Sequence, residues 1–249
     1  MQSINTVLLA AGKSTRIASI AQGLPKPLLP ISGEAVIFRN LRWLNSFSFI
    51  NTVWVNLHYQ HALMQSKIRE FSACVPQLEL KFVHEKNILG TAGAVANIAP
   101  NFLKKSHGLI VYADNLFNFD LNNFILTHFN NNNLATIALF DQQTSIHTGV
   151  AGGKITLDES ARVLNFVEGT HHNFARHVNA GVYLLSPEII SLIPPGQFYD
   201  FGHDFFPSLL SKSIPLNGHI IDGYCLGLDT PECFAKAHEL VDQQKVVLL

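Results

Sequence analysis

A lysine set between two prolines, Leu24-Pro25-Lys26-Pro27-Leu28, follows shortly after an arginine that closes a loop of small residues, Ala10-Ala11-Gly12-Lys13-Ser14-Thr15-Arg16. Ahead of that loop, Val7-Leu8-Leu9 reads as a buried strand. Small side chains let backbone N–H groups approach an anionic ligand closely, and Arg16 and Lys26 supply the charge to neutralise it. Leu9 to Thr15, with Arg16 and Lys26, therefore form a candidate triphosphate site, the alternative being a glycine turn that closes a strand for steric reasons alone. Proline fixes its own φ and restricts the residue before it, so the Lys26 backbone is expected to be extended and its side chain aimed. Gly12-Lys13-Ser14 is not the end of a P-loop, because the upstream glycine of that pattern is Val7 here.

Two carboxylates follow strand-like runs. Asp114, in Val111-Tyr112-Ala113-Asp114-Asn115, is placed either to cap the next turn or to hold a divalent cation, since Mg²⁺ is usually bound by one or two carboxylates plus substrate phosphates. Glu85 precedes Leu89-Gly90-Thr91-Ala92-Gly93-Ala94, which reads as a tight turn into a helix with Thr91 as N-cap. Of twelve histidines, His171, His172 and His177 gather in one stretch. No carboxylate or Cys completes a metal set there, so they read as a solvated loop.

The elements that must position these residues alternate. Strand-like runs cover 51–57, 78–84, 109–113 and 134–140, with helix-like stretches at 36–47, 60–71, 91–98 and 121–129. Such alternation predicts an α/β fold with a mostly parallel sheet and helices on both faces, its ligands at the carboxyl ends of the strands. Both the 10–16 loop and the Asp114-Asn115 pair fall at that edge. Further on, 154–157 and 163–167 read as a hairpin, 178–185 as a strand, and 230–244 as a closing helix with Pro231 in its first turn. No internal repeat and no Gly-, Pro- or Ser-rich linker divides the chain, so residues 1–249 are expected to form one domain.

Composition excludes several classes of partner. The 249 residues are 47% hydrophobic and 14% charged, with 17 basic and 18 acidic side chains for a net charge of -1. That balance removes the electrostatic case for nucleic-acid binding. No apolar run approaches the roughly 20 residues of a membrane span, and Met1 to Asn5 lack the basic start of a signal peptide. Cys74, Cys225 and Cys233 lack C-x-x-C spacing, so neither a disulfide framework nor a zinc site is indicated, and a cytoplasmic setting is expected. The chain is expected to be a monomer or a homo-oligomer.

The residues resemble the sugar-1-phosphate nucleotidyltransferases, the NDP-sugar pyrophosphorylases, whose signature is close to L-A-A-G-x-G-T-R-L, a spacer, then P-K-P-L. Residues 8–17 and 25–28 match it with Ser14 in place of the second Gly, a change that gives up free access to φ > 0. Mannose-1-phosphate guanylyltransferase-like members are the most similar, with heptose-1-phosphate guanylyltransferases close behind. The resemblance implies a Rossmann-like, three-layer fold, a nucleotide-binding half to about residue 115, and a sugar-phosphate-binding half beyond it. It also implies transfer of a nucleotidyl group from an NTP to a sugar 1-phosphate, releasing pyrophosphate, with Mg²⁺ as cofactor.

Carried over residue by residue, the resemblance makes Arg16, Lys26 and Asp114 catalytic, with Asp114 a metal ligand. Leu9 to Thr15, Glu85, Gly90, Thr91 and Gly93 fall at the nucleotide, where a Glu85 carboxylate suits the N1–H and amino donors of guanine. Asn115, Gly149, Glu168 and Asn179 fall at the sugar. Two positions depart from the pattern. Gly169 stands where relatives carry a Lys that contacts the sugar phosphate, with Arg176 or His177 as candidate substitutes from the same loop. Gly227 stands where they carry a second metal carboxylate, and Asp229 follows two residues later, either as a second metal ligand or as N-cap of the last helix with Glu232 completing a capping box. These changes keep open a second reading, a nucleotide or nucleotide-sugar binding subunit with weakened chemistry.

Overall fold

The computed structural model describes residues 4–101, 106–149, 152–169 and 175–248; His171 and His172 lie outside them. The chain begins with β1 (Ile4–Leu9), the short helix α1 (Ala18–Ala21), a two-stranded ribbon of β2 (Pro30–Ile31) and β3 (Glu34–Ala35), and α2 (Val36–Asn45). Next come β4 (Thr52–Leu57), α3 (His61–Phe71), β5 (Glu79–His84), α4 (Gly90–Ile98) and β6 (His107–Tyr112). After β7 (Asn115–Asn118), α5 (Leu121–Asn130) and β8 (Ala135–Asp141), the pattern turns to short strands: β9 (Ile146–His147), β10 (Lys154–Leu157), β11 (Val163–Val167) and the longer β12 (His177–Leu185). The chain closes through α6 (Pro187–Ile190), α7 (Phe206–Ser211), β13 (Asn217–Ile220), β14 (Tyr224–Gly227) and α8 (Pro231–Asp242).

One large sheet runs β11-β10-β12-β6-β1-β4-β5, with β8 and β13 joined through β12. The pairs β1/β4, β1/β6 and β4/β5 are parallel, whereas β12 pairs β6, β8 and β10 antiparallel. The sheet is buried on both faces, which is why its central strands read as continuous apolar runs. Alternate residues of β1 enter opposite cores: Leu8 packs with Ile37, Leu41 and Trp43 of α2 and Met64 of α3, while Val7 and Leu9 pack with Ala92 and Val95 of α4 and Phe206 of α7. Helices thus cover both faces, as the alternation of elements predicts.

The chain leaves β1 to one side, through β4 and β5, then returns to the other side at β6. The strand order therefore reverses between β1 and β6, and a crevice opens where the loops after those strands diverge. Their register, Leu9 opposite Tyr112, starts the 10–14 loop and the Ala113-Asp114 turn side by side. A second, three-stranded sheet, β7-β14-β9, stands over this edge, and its register places Gly227 opposite Asn115.

Candidate active site

A cleft of about 470 Å³ opens at this edge. Leu9 to Arg16, Lys26, Glu85, Gly90, Thr91, Asp114, Asn115, Glu168, Asn179 and Asp229 line it; Gly93 and Gly149 do not. Asn56, Tyr112, Phe198, Asp200 and His203 join the lining from outside the set expected from sequence.

At the centre lies a buried cation between two carboxylates. Lys26 Nζ donates to Asp114 Oδ2 at 2.8 Å and to Asp229 Oδ1 at 2.7 Å, and Arg16 Nη2 reaches the same Asp229 oxygen at 3.2 Å. The Lys26 side chain is 6% exposed, those of Asp229 and Asp114 18% and 34%, and that of Arg16 67%. Burial acts to lower the Lys26 pKa, but the charges and hydrogen bonds of Asp114 and Asp229 outweigh it and hold the ammonium above the ordinary lysine value. Asp229 shows the mirror effect: burial acts to raise its pKa, and Lys26, helped by Arg16, pulls it below the usual carboxylate value.

Lys26 is not extended. Residues Lys26–Leu28 form a 3₁₀ turn, closed by Leu28 N–H to Pro25 O at 2.9 Å and Leu29 N–H to Lys26 O at 3.0 Å, with Leu28 and Leu29 buried. Extended geometry flanks the turn instead, at Pro25 (φ -58, ψ 136) and at Leu29 (φ -65, ψ 133). What aims Lys26 is the bonding of its two ends: the ammonium as above, and the backbone N–H, which donates to Ser14 Oγ at 2.7 Å. Ser14 itself adopts φ 58, the conformation that a glycine would take freely.

Asp229 is not the cap of the last helix. Thr230 is, its Oγ1 accepting the Cys233 N–H at 3.3 Å, because Pro231 occupies the first helical position and places the cap one residue before it. Asp229 is thereby free to turn into the cleft after β14 ends at Gly227.

At the β4/β5 side of the cleft, Asn56 holds Glu85 through Nδ2 at 3.1 Å, and Leu89 N–H donates to the other Glu85 oxygen at 3.3 Å. Burial raises the Glu85 pKa, partly offset by these two bonds. Thr91 is not an N-cap, since the helix already begins at Gly90. Its hydroxyl donates to Asp200 Oδ2 at 2.8 Å and accepts the Phe201 N–H at 2.9 Å. The first turn of α4 is capped instead by the Tyr199 carbonyl, which accepts from Ala92 and Gly93 at 3.0 and 2.9 Å. The close approach that Gly90 and Gly93 permit is that of this chain segment: a Cβ at Gly90 would lie 2.5 Å from Tyr199 O, and one at Gly93 2.6 Å from Gln197 O.

Across the cleft, a register shift in β12 between Asn179 and Tyr183 kinks the strand. Asn179 Nδ2 donates to Tyr183 Oη at 2.7 Å and its Oδ1 accepts the Gly181 N–H at 2.9 Å, which fixes the amide at the cleft wall. Burial, together with the charge of Asp200, raises the Glu168 pKa. Asp200 starts a single π-helical turn, Phe201–Phe205, by accepting the Gly202 and His203 N–H groups at 2.8 and 3.0 Å. The sequence signal was present in Tyr199-Asp200-Phe201-Gly202-His203-Asp204, a polar pair of aspartates within an aromatic run. Arg176 and His177 do not replace the missing lysine at 169, because neither lines the cleft and Arg176 Nε is bonded to Asp141 Oδ2 at 2.6 Å.

Among the described residues, no group of three or more His, Cys, Asp or Glu side chains is arranged to hold a metal ion, and no helix is long and apolar enough to cross a membrane. Asp114 and Asp229 form a pair of hard oxygen donors gathered around one positive charge. Both are oxygen donors of the kind Mg²⁺ takes, completing its shell with phosphate and water oxygens, but one oxygen of each is already bonded to the Lys26 ammonium.

Residues 5–244 match the model of the nucleotidyl transferase family. The chain belongs to that family. It is 29% identical over 234 residues to the mannose-1-phosphate guanylyltransferase of Mycobacterium tuberculosis, covering 94% of this chain and 63% of that protein. The D-glycero-alpha-D-manno-heptose 1-phosphate guanylyltransferase of Aneurinibacillus thermoaerophilus is 25% identical over 237 residues, 95% of this chain and 97% of that one. The chain thus spans less than two thirds of the Mycobacterium protein's length and nearly all of the Aneurinibacillus one's. HddC from Yersinia pseudotuberculosis, in its crystal structure complexed with GMP-PN, has the same fold, with a TM-score of 0.75, 24% identity, and 97% and 100% of the two chains covered.

Proposed function

We propose that this nucleotidyl transferase family member moves a nucleotidyl group from an NTP to a sugar 1-phosphate and releases pyrophosphate, with GTP and a mannose- or heptose-type acceptor favoured. The observation that carries the proposal is the Lys26 ammonium bridging Asp114 and Asp229 beside an open small-residue loop. Displacement at an α-phosphorus gathers negative oxygens from both substrates, and two cations beside two carboxylates in one cleft support such a meeting point. The names of the two relatives support the choice of guanosine and of these sugars. Glu85 supports the choice of guanosine alone: it lines the cleft and, with about four lone-pair sites on a carboxylate, keeps acceptor capacity beyond its two bonds.

In this mechanism the loop amides and exposed Arg16 hold the β- and γ-phosphates and stabilise the departing pyrophosphate. Lys26 neutralises charge at the α-phosphate as the sugar phosphate attacks. Asn179 and Glu168 orient the sugar, so that positioning and charge stabilisation, rather than proton transfer to a protein base, lower the barrier. Asp114 and Asp229 would hold Mg²⁺, which supplies charge neutralisation and Lewis-acid polarisation of phosphoryl oxygens when bound.

The test is pyrophosphate release by the purified chain, with each NTP against mannose, glucose, heptose and amino-sugar 1-phosphates in Mg²⁺. GTP with mannose or heptose 1-phosphate is the expected active pair. NTP binding without release from any pair would favour the binding-subunit reading, which the open, side-chain-free position at Gly169 keeps in view.

A further inference from the structure

We infer that Ser14 is a positioning residue for Lys26, its hydroxyl latching the phosphate-loop backbone to the lysine that joins the two carboxylates. Ser14 holds φ 58 and ψ 28, a left-handed conformation unfavourable for an L side chain. Two bonds depend on it. The Ser14 carbonyl accepts the Ile17 N–H at 3.3 Å, starting the Thr15–Ile17 turn that carries Arg16. The Ser14 hydroxyl accepts the Lys26 N–H at 2.7 Å, from twelve residues away.

The Lys26 N–H needs such a partner. Lys26 opens a 3₁₀ turn, and the first N–H groups of a helical turn have no acceptor within it. With its backbone held by Ser14 and its Nζ held at 2.8 and 2.7 Å by Asp114 and Asp229, Lys26 is fixed at both ends of a flexible side chain. Releasing the backbone end frees the Cα to drift, and a drift of a fraction of an ångström is enough to misplace the ammonium relative to a reacting phosphorus. A glycine at position 14 would relieve the backbone strain and lose the latch; a serine accepts the strain and makes it.

The kinetic part of this inference rests on the transferase reading, so the experiment has two arms. Ser14→Gly and Ser14→Ala are made in the full chain, Gly relieving the backbone and Ala keeping its strain. The first arm follows amide hydrogen exchange in a peptide containing Lys26, where Pro25 and Pro27 contribute no amide signal. Loss of one hydrogen bond is expected to speed exchange of the Lys26 N–H by about three- to tenfold in both variants. The second arm measures pyrophosphate release: kcat is expected to fall by a similar factor, and by more than the NTP KM rises. Ser14→Asn, which tolerates the left-handed conformation and carries a side-chain acceptor, should recover part of both. Unchanged exchange in Gly and Ala overturns the latch. Faster exchange with wild-type kcat overturns the positioning role, as does a raised NTP KM at constant kcat, which would make Ser14 a substrate contact. If the wild-type chain releases no pyrophosphate with any pair, the transferase reading and the positioning role fall together, and exchange alone decides the latch.

Discussion

Asn56 ties Glu85 to the small-residue loop after β1. Its Nδ2 donates to Glu85 Oε1 at 3.1 Å while its Oδ1 accepts the Ala10 N–H at 2.8 Å. Asn56 stands opposite Leu9 in the β1/β4 register, so one buried side chain bridges the strand end that launches the loop and the Glu85 carboxylate. Asn56→Leu keeps the volume but leaves a buried N–H and a buried carboxylate oxygen unmatched. The expected loss is about 2–3 kcal/mol, a fall in Tm of roughly 4–12 °C for a chain of this size. Calorimetry checks it, and an unchanged Tm would show that water replaces both bonds. Asn56→Asp should be worse at pH 7 than at pH 5, because its carboxylate would face that of Glu85 until one of them takes a proton.

Lys26→Met removes the cation from between Asp114 and Asp229. A drop in kcat of about 10²–10³-fold is expected if the ammonium stabilises charge in the transition state, and full turnover at saturating substrates would refute that role. Stability changes in a pH-dependent way. In the wild type the Asp229 pKa lies below its unfolded value, so its contribution is present above the ordinary carboxylate pKa and is lost as pH falls through the folded one. In the variant, burial acts on Asp229 without Lys26, the folded pKa moves up, and protonation on acidification relieves the site. The gap between wild type and variant should therefore be widest at pH 7, about 2–4 kcal/mol after allowance for the partial exposure of the carboxylates. It should narrow toward pH 4, as urea unfolding at several pH values would show.

The parallel half of the fold was legible because strands buried on both faces make apolar runs that helices visibly interrupt, and the loop after β1 and the turn after β6 could be placed at one edge from that alone. The short strands β7, β9 and β14 were not legible. Each is four residues or fewer, too short for a period-two pattern, yet together they set Gly227 beside Asn115 and lead Asp229 into the cleft. Asp229 and Thr230 are both good caps by residue type, and the deciding signal was Pro231, which selects its immediate predecessor. The role of Tyr199 could not be read locally at all, since its carbonyl caps a helix more than a hundred residues earlier in the chain.

Gly12 and Gly93 separate the binding role of a glycine from its packing role. A Cβ at Gly93 would lie 2.6 Å from Gln197 O, against backbone that cannot simply rotate away, whereas a Cβ at Gly12 meets nothing within 4 Å. Gly93→Ala is expected to cost about 1–3 kcal/mol and to disturb nucleotide binding only through the displaced 197–199 segment. Gly12→Ala should leave stability within about 0.5 kcal/mol while raising the NTP KM, because the added methyl stands in the open cleft where the proposed function brings phosphates to the loop. Paired melting curves and KM values test the contrast, and equal destabilisation by the two would defeat it.

His128 sets a limit on acid stability far from the cleft. Its ring is fully buried, with Nδ1 2.8 Å from Thr136 Oγ1, Nε2 without a hydrogen-bond partner among the described residues, and His107 edge-on at 5.2 Å. Burial, assisted by His107, pushes its pKa down to about 3. Above the ordinary histidine pKa of about 6.5 the folded and unfolded states are both neutral and the ring costs nothing. Below it the unfolded chain takes up a proton that the folded chain refuses, so stability falls by about 1.4 kcal/mol per pH unit until the folded pKa is reached. His128→Gln keeps an acceptor for Thr136 and does not titrate. It should be less stable than wild type at pH 7 through lost packing, yet recover by about 3 kcal/mol relative to wild type between pH 7 and pH 4. Chemical denaturation of both proteins across that range measures the difference directly, and parallel curves would mean that the folded chain protonates His128 as readily as the unfolded chain does.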